Sequence, residues 1–163
     1  MAGASAEHIE AAATRKDGYF LELIEQGQFR VFDSSVEFVD ASLRAGLRLA
    51  TASSSRNARY ILEKVGLLEK FDAVIGGDDV ERGKPDPSIF LTAAERISLD
   101  PAQCVVVEDA ISGVVAAKTG GFFCLGIDRS NQPSRLSGAD MIVPDLGDLD
   151  LNDLRSALEQ RDN

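Results

Sequence analysis

Apolar and polar positions along the chain fall into two regimes. From Ala6 to Gln26 the apolar residues Ile9, Ala12, Ala13, Phe20, Leu23 and Ile24 recur at steps of three and four, which predicts a long amphipathic helix stopped by Gly27. Ser34 and Glu37 have capping-box spacing, and Val36, Val39 and Leu43 give a second helix its buried face until about Gly46. From there an alternation sets in. Strand-like apolar runs fall at Leu47–Ala52, Ala73–Ile75, Cys104–Val107, Phe122–Ile127 and Met141–Val143. Helical patterns lie between most of them, at Asn57–Val65, Pro87–Ile97 and Ser112–Thr119, with a last one near Leu151–Gln160. Nearly continuous apolar strands alternating with helices predict a doubly wound, Rossmann-like α/β fold whose mainly parallel sheet is covered on both faces.

Composition narrows the function without naming it. With 163 residues, 44% of them hydrophobic, the chain can bury a core and one domain is expected. A formal net charge of −10 argues against nucleic acid and against an anionic membrane as partners. No apolar run approaches the roughly 18 residues of a membrane span. The segment "MAGASAEHIEAAATRK" lacks the basic-then-apolar order of a signal peptide, and the two cysteines, Cys104 and Cys124, read as reduced core thiols. A cytoplasmic protein is expected. With His8 as the one histidine, a metal would have to be held by oxygen.

Open parallel sheets bind ligands beyond the carboxyl ends of their strands, so the residues standing there carry the chemistry. The first strand ends in "ATASSSRNA", which places the hydroxyls of Ser53, Ser54 and Ser55 beside the start of a helix, where an anion could be held. After the second strand comes "GKPDPSIF". Pro85 restricts Lys84 to extended backbone, and Asp86 before Pro87 reads as a helix start, so Lys84 has a defined direction in which to offer its charge to a phosphate. The third strand, "VVVEDAISGVVAAKTGG", ends on Glu108 and Asp109. Two carboxylates about 4 Å apart repel by roughly 4 kcal/mol at an effective dielectric near 20. Solvent or a cation between them relieves that cost, and Mg2+ prefers such oxygens. Hydroxyl, ammonium and carboxylates on one edge describe a site for a phosphate ester with Mg2+.

These three segments, in this order, resemble the haloacid dehalogenase superfamily and specifically its β-phosphoglucomutase-like branch. The resemblance runs from about Arg15 nearly to the C-terminus. It implies that Ser53 binds the transferring phosphoryl group, that Lys84 steadies nucleophile and phosphate, and that Glu108 and Asp109 support Mg2+. It also implies that Ser55, Arg56 and Asn57 lie near the phosphate and sugar of the substrate. "TRKDGYFLELIE" is similar to the last helix of the branch's helical cap, with Lys16 at a substrate-contacting position. The implied organisation is a residual cap helix over residues 1–28 and an α/β core over 29–163. The implied activity is that of a hydrolase or an isomerase, a phosphatase or phosphomutase acting on a small phosphorylated sugar.

The chain departs from that family at its first motif. The family begins with a strand ending in Asp-x-Asp, which supplies nucleophile and general acid; the nearest match, "VFDSSV", offers Asp33 but has Ser35 where the second acid belongs. The family's absent strand lies between the Ser53 strand and the Glu108–Asp109 strand. Either those neighbours close up, or another segment such as Gln28–Phe32, or a second molecule by self-association, fills the slot. Two functions therefore compete. One is an Mg2+-dependent enzyme whose nucleophile lies outside this sequence; the other is a non-catalytic relative that binds phosphate or a partner protein. A receiver domain, which uses the same residue types, would place its acidic pair after the first strand, and here it follows the third.

Overall fold

A computed structural model describes residues 6–130 and 132–161. The described residues up to Val31 and those from Phe32 onward form two compact units. The first is built on α1 (Ala6–Glu25). Gly27, at φ +69°, lets the backbone N–H groups of Gly27 and Gln28 close on the carbonyls of Ile24 and Leu23, ending the helix as its sequence predicts. Tyr19, Phe20 and Leu23 of this helix are exposed.

The second unit alternates helix and strand: α2 (Asp33–Arg44), β1 (Ala50–Ala52), α3 (Ala58–Lys64), β2 (Ala73–Ile75), α4 (Ser88–Arg96), β3 (Val105–Glu108), α5 (Ile111–Thr119), β4 (Phe123–Ile127), β5 (Met141–Val143) and α6 (Leu151–Arg161). All strand pairing is parallel, and helices pack on the strands, so the fold is the expected doubly wound α/β type. No described helix is long and apolar enough to cross a membrane.

Sheet pairing is interrupted in the middle. β1 pairs with β2, β3 pairs with β4, and β4 pairs with β5, but β1 and β3 share no ladder. What joins the two sheets is the layer beneath. α4 packs on β1 and β2, α5 packs on β3 and β4, and the two helices touch each other. One apolar cluster runs under both sheets, from Ile75 through Ile89 and Phe90 to Val106, Val114 and Cys124. The Phe90 and Phe122 rings meet edge to face at 6.0 Å within it. On the opposite face Phe38 of α2 packs with Leu125, Ile127 and Leu146 over the three-stranded sheet. β4, paired on both sides and covered on both faces, is buried throughout.

Two details differ from the sequence expectation. The capping box is not formed: α2 begins at Asp33, with Phe32 at its cap position and no side-chain cap bond. Ser34 instead turns its hydroxyl to Asp145, a tertiary partner outweighing the local motif. The first strand is also shorter than its apolar run. The Leu49 N–H donates to the Asp72 carboxylate at 2.8 Å and the Asp72 N–H to the Leu49 carbonyl at 2.7 Å, so a side chain replaces the ladder there.

Candidate functional site

The carboxyl ends of β1 and β3 face one open cleft of about 400 Å³, a volume in the range of small-ligand pockets. Ser53, Lys84, Glu108 and Asp109 all line it. Each reaches it for a local reason.

Ser53 extends β1 by one bond, its N–H donating to the Ile75 carbonyl at 2.9 Å. Its Oγ accepts the Ser55 N–H at 3.1 Å, and Ser55 Oγ accepts the Asn57 N–H at the same distance. Two successive hydroxyls thus organise the turn into α3, which answers why three serines stand in a row: two hold the turn, and Ser54 is exposed in the cleft. The neighbouring loop fits closely against this turn. A Cβ at Gly77 would stand 2.5 Å from the Ser54 carbonyl oxygen, so only glycine permits the approach.

Lys84 is positioned from both sides. Its peptide bond to Pro85 is cis, and Asp86 caps α4 by accepting the Ser88 N–H at 3.0 Å. The Lys84 ammonium then spans the break between the sheets. Nζ donates to the Ala52 carbonyl at 3.2 Å, forms a short ion pair with Glu108 Oε1, and lies 4.7 Å from the Phe90 ring centroid. The side chains of this pair are 12% and 6% exposed, which makes it the most buried ion pair among the described residues.

The two adjacent carboxylates divide their work. Glu108 is turned inward, where Oε2 accepts the N–H groups of Asp109 and Ala110, both at 3.2 Å, while Oε1 meets Lys84. It thereby satisfies amides that lead into α5, whose own cap residue, Ala110, has no side chain to do so. Gly113 makes room for it: a Cβ there would fall 2.1 Å from the Glu108 carboxyl carbon. Asp109 is exposed in the cleft. The repulsion expected of the pair is thus relieved by a lysine on one member and by water on the other.

Other expected residues fall elsewhere. Ser55, Arg56 and Asn57 are not among the residues lining the cleft; Arg56 pairs with Asp78 at 2.9 Å, with both side chains strongly exposed. Lys16 is exposed on α1 in the other unit. Asp33 is exposed in the first turn of α2 and does not line the cleft. Conversely, Thr51, Ser112 and Arg129 line the cleft without having been singled out. Arg129 follows the end of β4, and its guanidinium donates to Asp145 and to Ser35, both at 3.1 Å, and lies 4.0 Å over the Phe32 ring. Reading the fourth strand's end, "GIDRS", as the first three were read would have found it.

For Mg2+ the donor chemistry is right and the donor number is short. Among the described residues no group of three or more His, Cys, Asp or Glu could hold a metal ion, and Glu108 is already committed to Lys84. The described residues therefore do not by themselves complete a magnesium site.

Comparison with known proteins adds the family. Residues 2–121 match the haloacid dehalogenase-like hydrolase family. The chain is 40% identical over 114 residues to a β-phosphoglucomutase of Bacillus subtilis, covering 70% of this chain and 49% of that protein. It is 38% identical over 104 residues to a validoxylamine A 7'-phosphate phosphatase of Streptomyces hygroscopicus, covering 64% of this chain and 49% of that protein. The crystal structure of a Clostridium difficile β-phosphoglucomutase superposes with a TM-score of 0.85 at 22% identity, covering 96% of this chain and 70% of that one, a likeness of fold. The chain spans about half the length of the two curated relatives.

Proposed function

Because the chain belongs to the haloacid dehalogenase-like hydrolases, in their β-phosphoglucomutase-like branch, we propose that it carries part of the machinery for phosphoryl transfer on a small phosphorylated sugar in the cytoplasm. The observation that supports this most is the convergence of Ser53, Lys84 and Asp109 on one cleft at the carboxyl ends of β1 and β3. Ser53 and Ser54 offer donors to phosphoryl oxygens, and Lys84 supplies the positive charge that a transferring phosphoryl group needs. Asp109, with Glu108 behind it, is the chain's contribution to an Mg2+ site that further oxygen ligands must complete. When bound, the ion would neutralise charge on the phosphoryl group. Ser55, Arg56, Asn57 and Lys16 remain proposed substrate contacts, with residues 1–28 as the cap remnant and 29–163 as the core.

No residue lining the cleft matches the family's nucleophilic Asp-x-Asp, so the nucleophile in this reading comes from polypeptide outside residues 1–163. Covalent catalysis splits one high barrier into two lower ones, and phosphate monoesters are among the slowest uncatalysed hydrolyses. Residues 1–163 alone are therefore expected to show no measurable turnover of a sugar phosphate. Joined to the N-terminal region of the Bacillus relative, they should gain Mg2+-dependent release of inorganic phosphate or isomerisation, and Asp109→Ala should remove most of it. A joined protein that folds and stays inactive would favour the non-catalytic alternative, a phosphate- or protein-binding relative. Equal activity with Asp109→Ala would remove Asp109 from the site.

A further inference from the structure

Two cations line the cleft, and phosphoryl transfer as described above uses only Lys84. The other is Arg129. A cleft of about 400 Å³ has room for a small organic molecule and not merely for a phosphate. The Lys84 charge is already opposed by Glu108, so it has little left for a further anionic group. The formal net charge of −10 repels anions from the molecule as a whole. A second negative charge on a ligand therefore has to be met by a cation placed for it.

Arg129 is held in place by distant segments of the chain. It follows the end of β4 and lines the cleft with a side chain that is 27% exposed. Nε donates to Asp145 Oδ2 and Nη2 to Ser35 Oγ, both at 3.1 Å, and the guanidinium carbon lies 4.0 Å over the Phe32 ring. Asp145 is itself fixed by the Gly147 N–H at 3.0 Å and by the Ser34 hydroxyl. A guanidinium carries five N–H donors in one plane. These contacts use two of them, and Nη1 has no hydrogen-bond partner among the described residues. A planar guanidinium pairs with carboxylate or phosphate through two parallel N–H bonds, and holding it rigid beforehand lowers the ordering cost of binding.

We propose that Arg129 is a specificity-determining residue of the cleft, binding a second anionic group, carboxylate or phosphate, on a ligand whose phosphoryl group sits at Ser53 and Lys84. The ligand class is a phosphorylated sugar that bears a further negative charge. The inference rests on the phosphoryl-transfer reading and adds a residue to it. Arg129 is distinct from Ser55, Arg56 and Asn57, which do not line the cleft.

The test titrates the isotopically labelled 163-residue chain, at one ionic strength, with inorganic phosphate, glucose 6-phosphate, 6-phosphogluconate and fructose 1,6-bisphosphate. The last two carry a carboxylate and a second phosphate, so they separate the two sources of the anionic group. At least one of them is expected to bind about fivefold or more tightly than glucose 6-phosphate. It should also move the Arg129 Nε–H resonance, which inorganic phosphate leaves in place. Arg129→Met should cut the gain to about twofold or less, and Arg129→Lys, which keeps the charge without the fork, should restore only part of it. Arg135→Met removes the same charge from an exposed position that does not line the cleft, and should keep the gain. Equal affinity of the unsubstituted chain for all three sugar phosphates would overturn the proposal. So would a gain that leaves Nε–H unmoved, survives Arg129→Met, or is lost as fully in Arg135→Met. Phosphate that shifts Ser53–Ser55 with no gain from a second group would remove Arg129 alone. Phosphate that leaves Ser53–Ser55 unmoved would remove the phosphoryl-transfer reading and this inference with it.

Discussion

β4 and the pair β1 and β3 are made of similar residues and have different fates. β4 reads Phe-Cys-Leu-Gly-Ile, is paired on both sides and is buried at every position. β1 and β3, Ala-Thr-Ala and Val-Val-Val-Glu, are equally strand-like but paired on one side, and their burial is partial. The difference lies in neighbours rather than in propensity. A strand's burial in this sheet follows what flanks it, and the candidate site sits where flanking is incomplete. Ser53, Lys84 and Asp109 all face that gap, as active residues in open α/β sheets commonly face crevices.

The contrast can be broken most strongly at β4. Leu125 is fully buried, and Leu125→Ala should cost about 3–5 kcal/mol by combined transfer and cavity terms. Val107→Ala on the gap side should cost about 1 kcal/mol or less, because its side chain already meets solvent. Urea denaturation of both variants measures the ratio; equal losses would mean the gap is closed in solution.

A somewhat smaller effect is expected where the gap is bridged. Glu108→Gln leaves the Lys84 ammonium buried beside Phe90 without its counter-charge, and about 3 kcal/mol should be lost. Lys84→Met should cost less, since Glu108 keeps the amides of Asp109 and Ala110. A double-mutant cycle between the two positions should give a coupling of about 1–3 kcal/mol, and additivity would show that the ion pair does not form.

The smallest effects are titrations. Burial, with the charges of Glu108 and Asp140 adding to it, pushes the Cys124 thiol up to about 11. A raised folded value means its contribution is fully present below about pH 9 and fades as pH climbs toward 11. Cys124 should accordingly resist alkylation at pH 8 in the native state and react after unfolding; rapid native reaction would contradict the packing of β4. Asp145 runs the other way. The Ser34 hydroxyl first, then the Gly147 N–H and Arg129, hold its carboxyl below the usual range. Its contribution is present above about pH 4 and is lost as pH falls, so Ser34→Ala should flatten the acid limb of a stability-against-pH curve.

How much of this could be read from the sequence follows the same division. Ala73–Ile75 and Met141–Val143 have the bounds their apolar runs predict, because each is short and ends in turn residues. The Leu47–Ala52 run was too long by three residues, since nothing in its pattern says that the carboxylate of Asp72 will take the Leu49 amide. That Ser53, Lys84 and Asp109 stand at one cleft was legible from the rule that ligands bind beyond strand ends. The inward turn of Glu108 was not, although Gly113 five residues later was its trace: helix interiors rarely use glycine without a close approach. Arg129 escaped because its contacts with Ser35 and Asp145 join distant parts of the chain, which no local pattern shows.

The proposed function needs an anion site at the broken edge of the sheet, where Ser53 and Lys84 line one cleft. Titration of the isotopically labelled 163-residue chain with inorganic phosphate, followed by amide chemical shifts, tests it most directly. Saturable shifts confined to Ser53–Ser55 and the Glu108–Ser112 turn are expected, lost in Lys84→Met and weakened at least severalfold in Ser53→Ala. Shifts that are absent, or that persist unchanged in both variants, would contradict it.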